Sequence, residues 1–278
     1  MTASAKRPFL ATAMVACTVG LSSPAVAAES GWQFSLTTYS WLPWISGDLG
    51  IANRNLNVDV NPGDVLEALD WSTLPVWMSY AELKNGRLTL FNDTIWTALE
   101  GSAGFRSNGP LGLGASAEVD YTQLTMEFGA AYTVYTDGVV GAPGVINLDL
   151  LAGARYWRQD VEIAATLGAP GIPVAAAARS GQVDWVDPIV GARLGYGVAP
   201  GQSVLLRGDI GGFGVGSEFS WQVLATYNAK ICDLNGYAID GFVGYRALAV
   251  DYSQGSGGRR YEMDAVQHGP VLGMSVRF

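Results

Sequence analysis

From Gln33 to Phe278 apolar residues return again and again at every second position, and after residue 28 they never run unbroken for the ~18 residues that mark a spanning helix. A period of two belongs to strands with two unlike faces. In 121–134 one face reads Thr122, Leu124, Met126, Phe128, Ala130, Tyr132, Val134, and the other Tyr121, Gln123, Thr125, Glu127, Gly129, Ala131, Thr133. The pattern repeats in 146–157, 186–198, 203–210, 218–228, 237–248 and 270–278, and near the start, where Trp32, Phe34 and Leu36 alternate with Gln33, Ser35 and Thr37. The run 87–99 is the least regular, its Asp93 lacking a clean apolar counterpart. Such a chain is all-β, and what it becomes depends on which medium meets the apolar face.

In a soluble sandwich the charged face would be the surface. Here the polar faces carry glycine and single Arg or Asp residues, and only two lysines, Lys84 and Lys230, follow residue 28. With 49% hydrophobic residues, 15% charged residues and 36 glycines, the composition suits a chain that is apolar on one side everywhere. The inverted arrangement follows: aliphatics toward lipid, Trp and Tyr near the strand ends, and glycine with paired charges inside a narrow bore. Strands cross a membrane only as a closed barrel, because an open edge leaves backbone groups unpaired in hydrocarbon.

The N-terminus fits export. Lys6 and Arg7 precede the apolar run FLATAMVACTVGL, and small residues follow at Ala25-Val26-Ala27, so residues 1–28 read as a signal peptide and 29–278 as one barrel domain. Cleavage there removes two of the 16 basic residues and none of the 25 acidic ones, making the net charge of −9 more negative, which excludes nucleic acid as a partner. Of the cysteines only Cys232 remains, leaving no internal disulfide.

Turn-forming stretches at 84–86, 136–138, 199–201 and 232–236 alternate with longer connections at 101–114, 165–180, 213–217 and 253–259. They separate strands near 32–42, 71–83, 87–100, 115–135, 143–163, 181–198, 203–213, 217–230, 236–252 and 260–278. The expectation is an antiparallel transmembrane β-barrel of about ten strands, with both termini and the short turns on the periplasmic side. Segment 43–70 is then an excursion from the outer rim, serving as lid or plug; if 46–59 pairs as a hairpin, twelve strands result. Within it Asn61-Pro62-Gly63-Asp64 supplies an N-cap, a proline at the first helical position and an early acid, so a short helix is expected near 62–69, packed through Val65, Leu66 and Leu69.

Glu127, Asp149, Arg155, Asp187, Arg193, Arg207, Asp209, Asp240, Arg246 and Arg277 all fall on the bore face. Ionised groups there need partners. They read either as a structural ladder that fills the bore or as a charged constriction that selects small solutes. His268, the single histidine, falls on the lipid-facing phase, with no Ser placed to form a nucleophile pair. Gly211 to Gly216 reads as a glycine-rich turn, and the outer acids Glu100, Glu118, Asp160, Glu162, Asp251, Glu262 and Asp264 as a solvated rim. No catalytic residue, metal site or cofactor is expected.

The motifs WVDPIVGAR (185–193) and RGDIGGFGVGS (207–217), with the opening WQFSL (32–36) and the stretch from Tyr245 and Arg246 to Phe278, resemble small proteobacterial outer-membrane barrel proteins of the OmpA/OmpW-like class. The resemblance spans nearly the whole exported chain and implies a fold and a location, the cell outer membrane, without implying a reaction. It also implies that Pro270, Leu272, Met274, Val276 and Phe278, apolar at alternate positions and ending on Phe, form the signal read by the barrel-assembly machinery. Outer-membrane lipid and lipopolysaccharide are the remaining expected partners. The function expected is a narrow or gated channel for small solutes; the alternatives are a closed barrel with a structural, envelope-integrity role and, behind both, an outer-leaflet hydrolase.

Overall fold

The computed structural model describes residues 31–51, 54–72, 74–106, 114–169, 172–256 and 261–278, so the expected signal peptide lies outside the described residues. Among the described residues the strands are β1 (Gln33–Trp41), β2 (Trp44–Ile51), β3 (Arg54–Val60), β4 (Val76–Asn85), β5 (Leu88–Arg106), β6 (Gly114–Thr136), β7 (Ile146–Ala169), β8 (Ile172–Ala199), β9 (Gln202–Gly211), β10 (Phe219–Leu234), β11 (Tyr237–Gln254) and β12 (Tyr261–Arg277), with one helix, α1 (Pro62–Glu67). All strand pairings are antiparallel. β1 and β4 to β12 pair in sequence, and β1 pairs back to β12, which closes a barrel of ten strands.

The other two strands form a hairpin on the rim. β1 and β2 both run along β12, from Ser35↔Arg277 to Trp41↔Val271 and then from Trp44↔His268 to Ile51↔Tyr261. They form one path broken at Leu42-Pro43, where Pro43 has no N–H to give the ladder and Leu42 N–H donates to Pro270 O at 3.1 Å. Among the described residues β3 folds back on β2 alone. The hairpin foreseen as the twelve-strand alternative therefore exists, yet the closed circuit keeps ten members.

α1 begins as its sequence dictates. Asn61 accepts hydrogen bonds from Gly63 N–H (2.8 Å) and Asp64 N–H (3.2 Å), and Asp64 reaches back to Asn61 N–H at 3.2 Å, a capping box. Val65 and Leu69 are buried, whereas Leu66, expected on the same packed side, is exposed. After the helix the chain adds to the free edge of β5: Asp70 N–H donates to Ala98 O and Glu100 N–H to Ala68 O, around the bridge Leu69↔Leu99. β4 consequently begins at Val76 rather than at 71.

Two further boundaries differ from the sequence reading. Much of 101–114 and 165–180, read as loops, is paired strand: β5 with β6 out to Arg106↔Gly114, and β7 with β8 out to Ala169↔Ile172. These extensions are rich in Ala, Gly and Ser, so they carry no two-residue hydrophobic signal although the backbone ladder continues. The turn at 136–138 is the start of a longer connection, residues 137–145, which folds back so that Gly197 N–H donates to Val145 O and Gly144 N–H to Gly197 O.

The faces are inverted relative to a soluble protein. Val271 is 3% exposed and its neighbour Leu272 52%, and the same step recurs around the barrel: Leu36, Phe128, Leu150, Val190, Leu206, Val223, Val243 and Met274 are exposed. Arg155, Asp187, Glu127, Gln159 and Trp157 are buried on the inner face. An apolar belt of this extent is unsupportable in water and matches the hydrocarbon core of a bilayer. Inside, Gly129 lies opposite Gly153, and a Cβ on Gly153 would stand 2.3 Å from Phe128 O. Two facing glycines thus let β6 and β7 curl tightly enough for so small a barrel to close.

Candidate functional site: a layered bore

At mid-height three arginines and three carboxylates meet. Glu127, on β6, is central: Arg155 Nε donates to its Oε1 at 2.8 Å, Arg207 Nη2 to its Oε2 at 2.6 Å, and Arg246 Nη2 lies 3.4 Å from Oε1. Arg155 also reaches Asp209 (2.6 Å), which holds Arg207 at 3.0 Å, and Arg246 reaches Asp93 at 2.9 Å. Tyr39 OH donates to Asp93, and Gln222 donates to Asp209. All six charged side chains are buried. The layer is neutral, which is the condition under which so many charges tolerate removal from water.

Period two places these residues inward on five different strands; closure brings them together. Of the residues named from sequence, Glu127, Arg155, Arg207, Asp209 and Arg246 form this layer. Asp149 and Arg193 pair below it at 2.8 Å, together with Glu82, and Arg277 with Asp240 pair at the mouth, also at 2.8 Å. Asp187 stands apart. Its carboxylate accepts from Trp157 Nε1 (3.2 Å) and from Ser217 N–H (2.7 Å), tying the connection 212–218 to β8.

Sequence reasoning missed Asp93, Glu82 and Tyr39. Asp93 was obscured because its outward neighbours Asn92 and Thr94 are polar. Asn92 satisfies itself on Glu127 O and accepts from Thr94, so polar residues sit on the apolar side and blur the alternation. Glu82 carried a signal, since Tyr80, Glu82 and Lys84 share one phase of β4.

Toward the loop end the bore becomes apolar. Trp41 lies over Arg246 at 5.1 Å, and beyond it Met78, Ile95, Trp157, Trp185, Leu248, Val250, Tyr252 and Met263 form one buried cluster. Trp157 stacks on Trp185 at 5.6 Å and Trp185 on Tyr252 at 3.8 Å, so the rings run from β7 and β8 across to β11. Aromatic bodies of this size exclude water from the cross-section they occupy.

Toward the turn end the bore opens into a chamber of about 430 Å³, lined chiefly by polar side chains that include Ser35, Thr37, Glu82, Lys84, Arg193 and Ser275. Val140 and Gly141, from the connection 137–145, fold into its wall. Along the axis the order is therefore polar chamber, neutral ion layer, aromatic layer.

His268 lies on the outer wall, stacked on Trp44 at 5.9 Å with its Nδ1 2.6 Å from Tyr245 OH. Phe278 closes the last strand, its N–H donating to Phe34 O and its ring against Phe34 and Tyr237. Leu272 and Met274 point outward, fully in the apolar belt.

No family model matches this chain, and no curated protein matches it. Two solved structures align along most of it: a FadL homologue of Pseudomonas aeruginosa (10% identity, 89% of each chain covered, TM-score 0.28) and CymD, a monoaromatic hydrocarbon channel (10% identity, 89% of this chain and 88% of that one, TM-score 0.23). Of the resemblance drawn from the motifs, the coarser part stands on the fold itself: a closed antiparallel β-barrel with its apolar face turned outward. Likenesses this distant carry nothing into the reading of the bore.

Proposed function

We propose that this chain is an integral outer-membrane barrel that gives gated passage to small polar solutes, with a bore that is shut at rest. The observation that carries the reading is the layering: a polar chamber of about 430 Å³ stands open on one side of a neutral, buried ion layer. A barrel with a structural duty alone gains nothing from leaving such a space unfilled, since each void forfeits packing. The ion and aromatic layers fill the bore above the chamber with buried side chains, as expected for a small barrel. The short-turn end, and so the chamber, is read as periplasmic. Segment 43–70 is read as a lid on the outer mouth, supported by its attachment to β12 through β2 and to β5 through Leu69. Lipid and lipopolysaccharide are the partners that the apolar exterior fits, and the last strand, with Pro270, Leu272, Met274, Val276 and Phe278, is read as the assembly signal.

A second reading, a permanently closed envelope barrel, is favoured by the neutrality of the ion layer. Planar-bilayer recording of the refolded protein separates the two. Brief, discrete openings from a silent baseline support gated passage, and they become more frequent in the double variant Trp185→Ala, Tyr252→Ala. Silence at every voltage in both proteins supports the closed barrel and ends the first reading.

A further inference from the structure

The charges around the chamber do not balance locally, and the imbalance has a direction. Arg277 is matched by Asp240, and Arg207 and Arg246 belong to the neutral ion layer. Lys84 lines the chamber and, among the described residues, its side chain makes no ion pair or hydrogen bond. Two residues away on the same strand, Glu82 shares the single guanidinium of Arg193 with Asp149, so that group carries one surplus negative charge. A lone ammonium and a surplus carboxylate thus face one polar space. As i and i+2 of β4, Lys84 and Glu82 sit on one face roughly 6.6 Å apart, a span that an α-amino acid bridges with two charge-assisted contacts of about 2.8 Å each.

The wall beside them supplies neutral hydrogen-bonding groups. Ser35 is opposite Glu82, and Thr37 is opposite both Tyr80 and Ser275 in the ladder, so Ser35, Thr37 and Ser275 present hydroxyls next to the charged pair. Several polar groups beside the charged pair are already engaged: Tyr80 OH donates to Glu82, Tyr39 OH to Asp93, and Thr133, behind the wall, to Asp149. The groups left for a ligand include one cation, one excess anion, a row of hydroxyls and the side-chain amide of Asn147.

We infer that the chamber is a binding site for a small zwitterion of the amino-acid class, its carboxylate held by Lys84 with the hydroxyls of Ser35, Thr37 and Ser275, and its ammonium held on the Glu82–Asp149 side of Arg193. This deepens the gated-passage reading and rests on it for biological meaning, but the site is testable without it. A dianion is disfavoured because a single cation is unmatched, and a cation alone leaves Lys84 repelling it.

Equilibrium dialysis of the full, refolded barrel in detergent micelles tests the site with three probes of one skeleton: L-serine, 3-hydroxypropionate, which lacks the ammonium, and ethanolamine, which lacks the carboxylate. Serine is expected to bind at least tenfold more tightly than either analogue. Lys84→Met should remove the advantage of serine over ethanolamine, and ethanolamine, relieved of the neighbouring ammonium, should bind no more weakly than before. Glu82→Gln should remove the advantage of serine over 3-hydroxypropionate, and 3-hydroxypropionate, relieved of the surplus carboxylate, should bind no more weakly than before. Retention of the heat-modifiable gel mobility of the folded barrel establishes that each variant has folded; should Glu82→Gln fail to fold, Lys84→Met with its rescue by Lys84→Arg decides alone. Equal binding of all three probes, no binding, or a Lys84→Met protein that holds serine as before overturns the site. If the bilayer recordings are silent while serine still binds through Lys84, the site stands and the gated-passage reading falls.

Discussion

Glu127 is the residue on which the ion layer turns, because three guanidinium groups converge on its two oxygens while its side chain is buried. Replacing it with alanine leaves Arg155, Arg207 and Arg246 facing only Asp209 and Asp93. One uncompensated buried charge then remains, and breaking a buried pair in this way costs about 3–5 kcal/mol. Glu127→Ala should therefore lower the urea midpoint for loss of barrel structure, followed by the heat-modifiable gel shift, far more than Arg277→Ala at the exposed mouth, where a surface pair contributes ~0–1 kcal/mol. Equal midpoints would mean that the layer contributes nothing to the stability of the barrel. Parity along a strand assigns a residue to the inner face, and in that sense Glu127 and Arg155 are readable from sequence. The partner across the bore is not: Arg155 and Asp209 lie 54 residues apart and meet only because ten strands close.

At the level of elements, alternation identifies strands only where hydrocarbon demands an apolar face. It reveals β6 and β7 through the belt, then fails in the Ala-rich extension of β8 beyond it, where pairing persists without any hydrophobic period. The helix was legible because its capping box is a local affair within four residues. The β2–β3 hairpin was readable only as an alternative, since Pro43 interrupts the path and β3 has a single neighbour. Its attachment to β12 depends on Gly47. That residue has φ of 149°, and a Cβ there would lie 2.0 Å from Asp264 O. Gly47→Val should detach the hairpin without opening the barrel, because β1 closes on β12 independently. Hydrogen exchange should show the amides of 44–51 and 261–268 that bond across the β2–β12 seam exchanging at least tenfold faster, with those of 35–41 and 271–277 unchanged. Simultaneous loss of protection in both stretches would contradict the separation of rim from wall.

For the whole molecule, everything follows from one assignment: the apolar faces meet lipid and the charged faces meet one another inside. The ion layer, the aromatic seal and the chamber have their meaning only within that inversion. Site-directed nitroxide labels tests it directly, on protein reconstituted in liposomes with Cys232 first replaced by Ser and single cysteines placed at Phe128, Leu150 or Leu272. Each label should collide readily with oxygen dissolved in the bilayer and little with a water-soluble nickel chelate. Labels shielded from both reagents, as in the core of a soluble sandwich, or open to the chelate, as on a water-facing surface, would contradict the account.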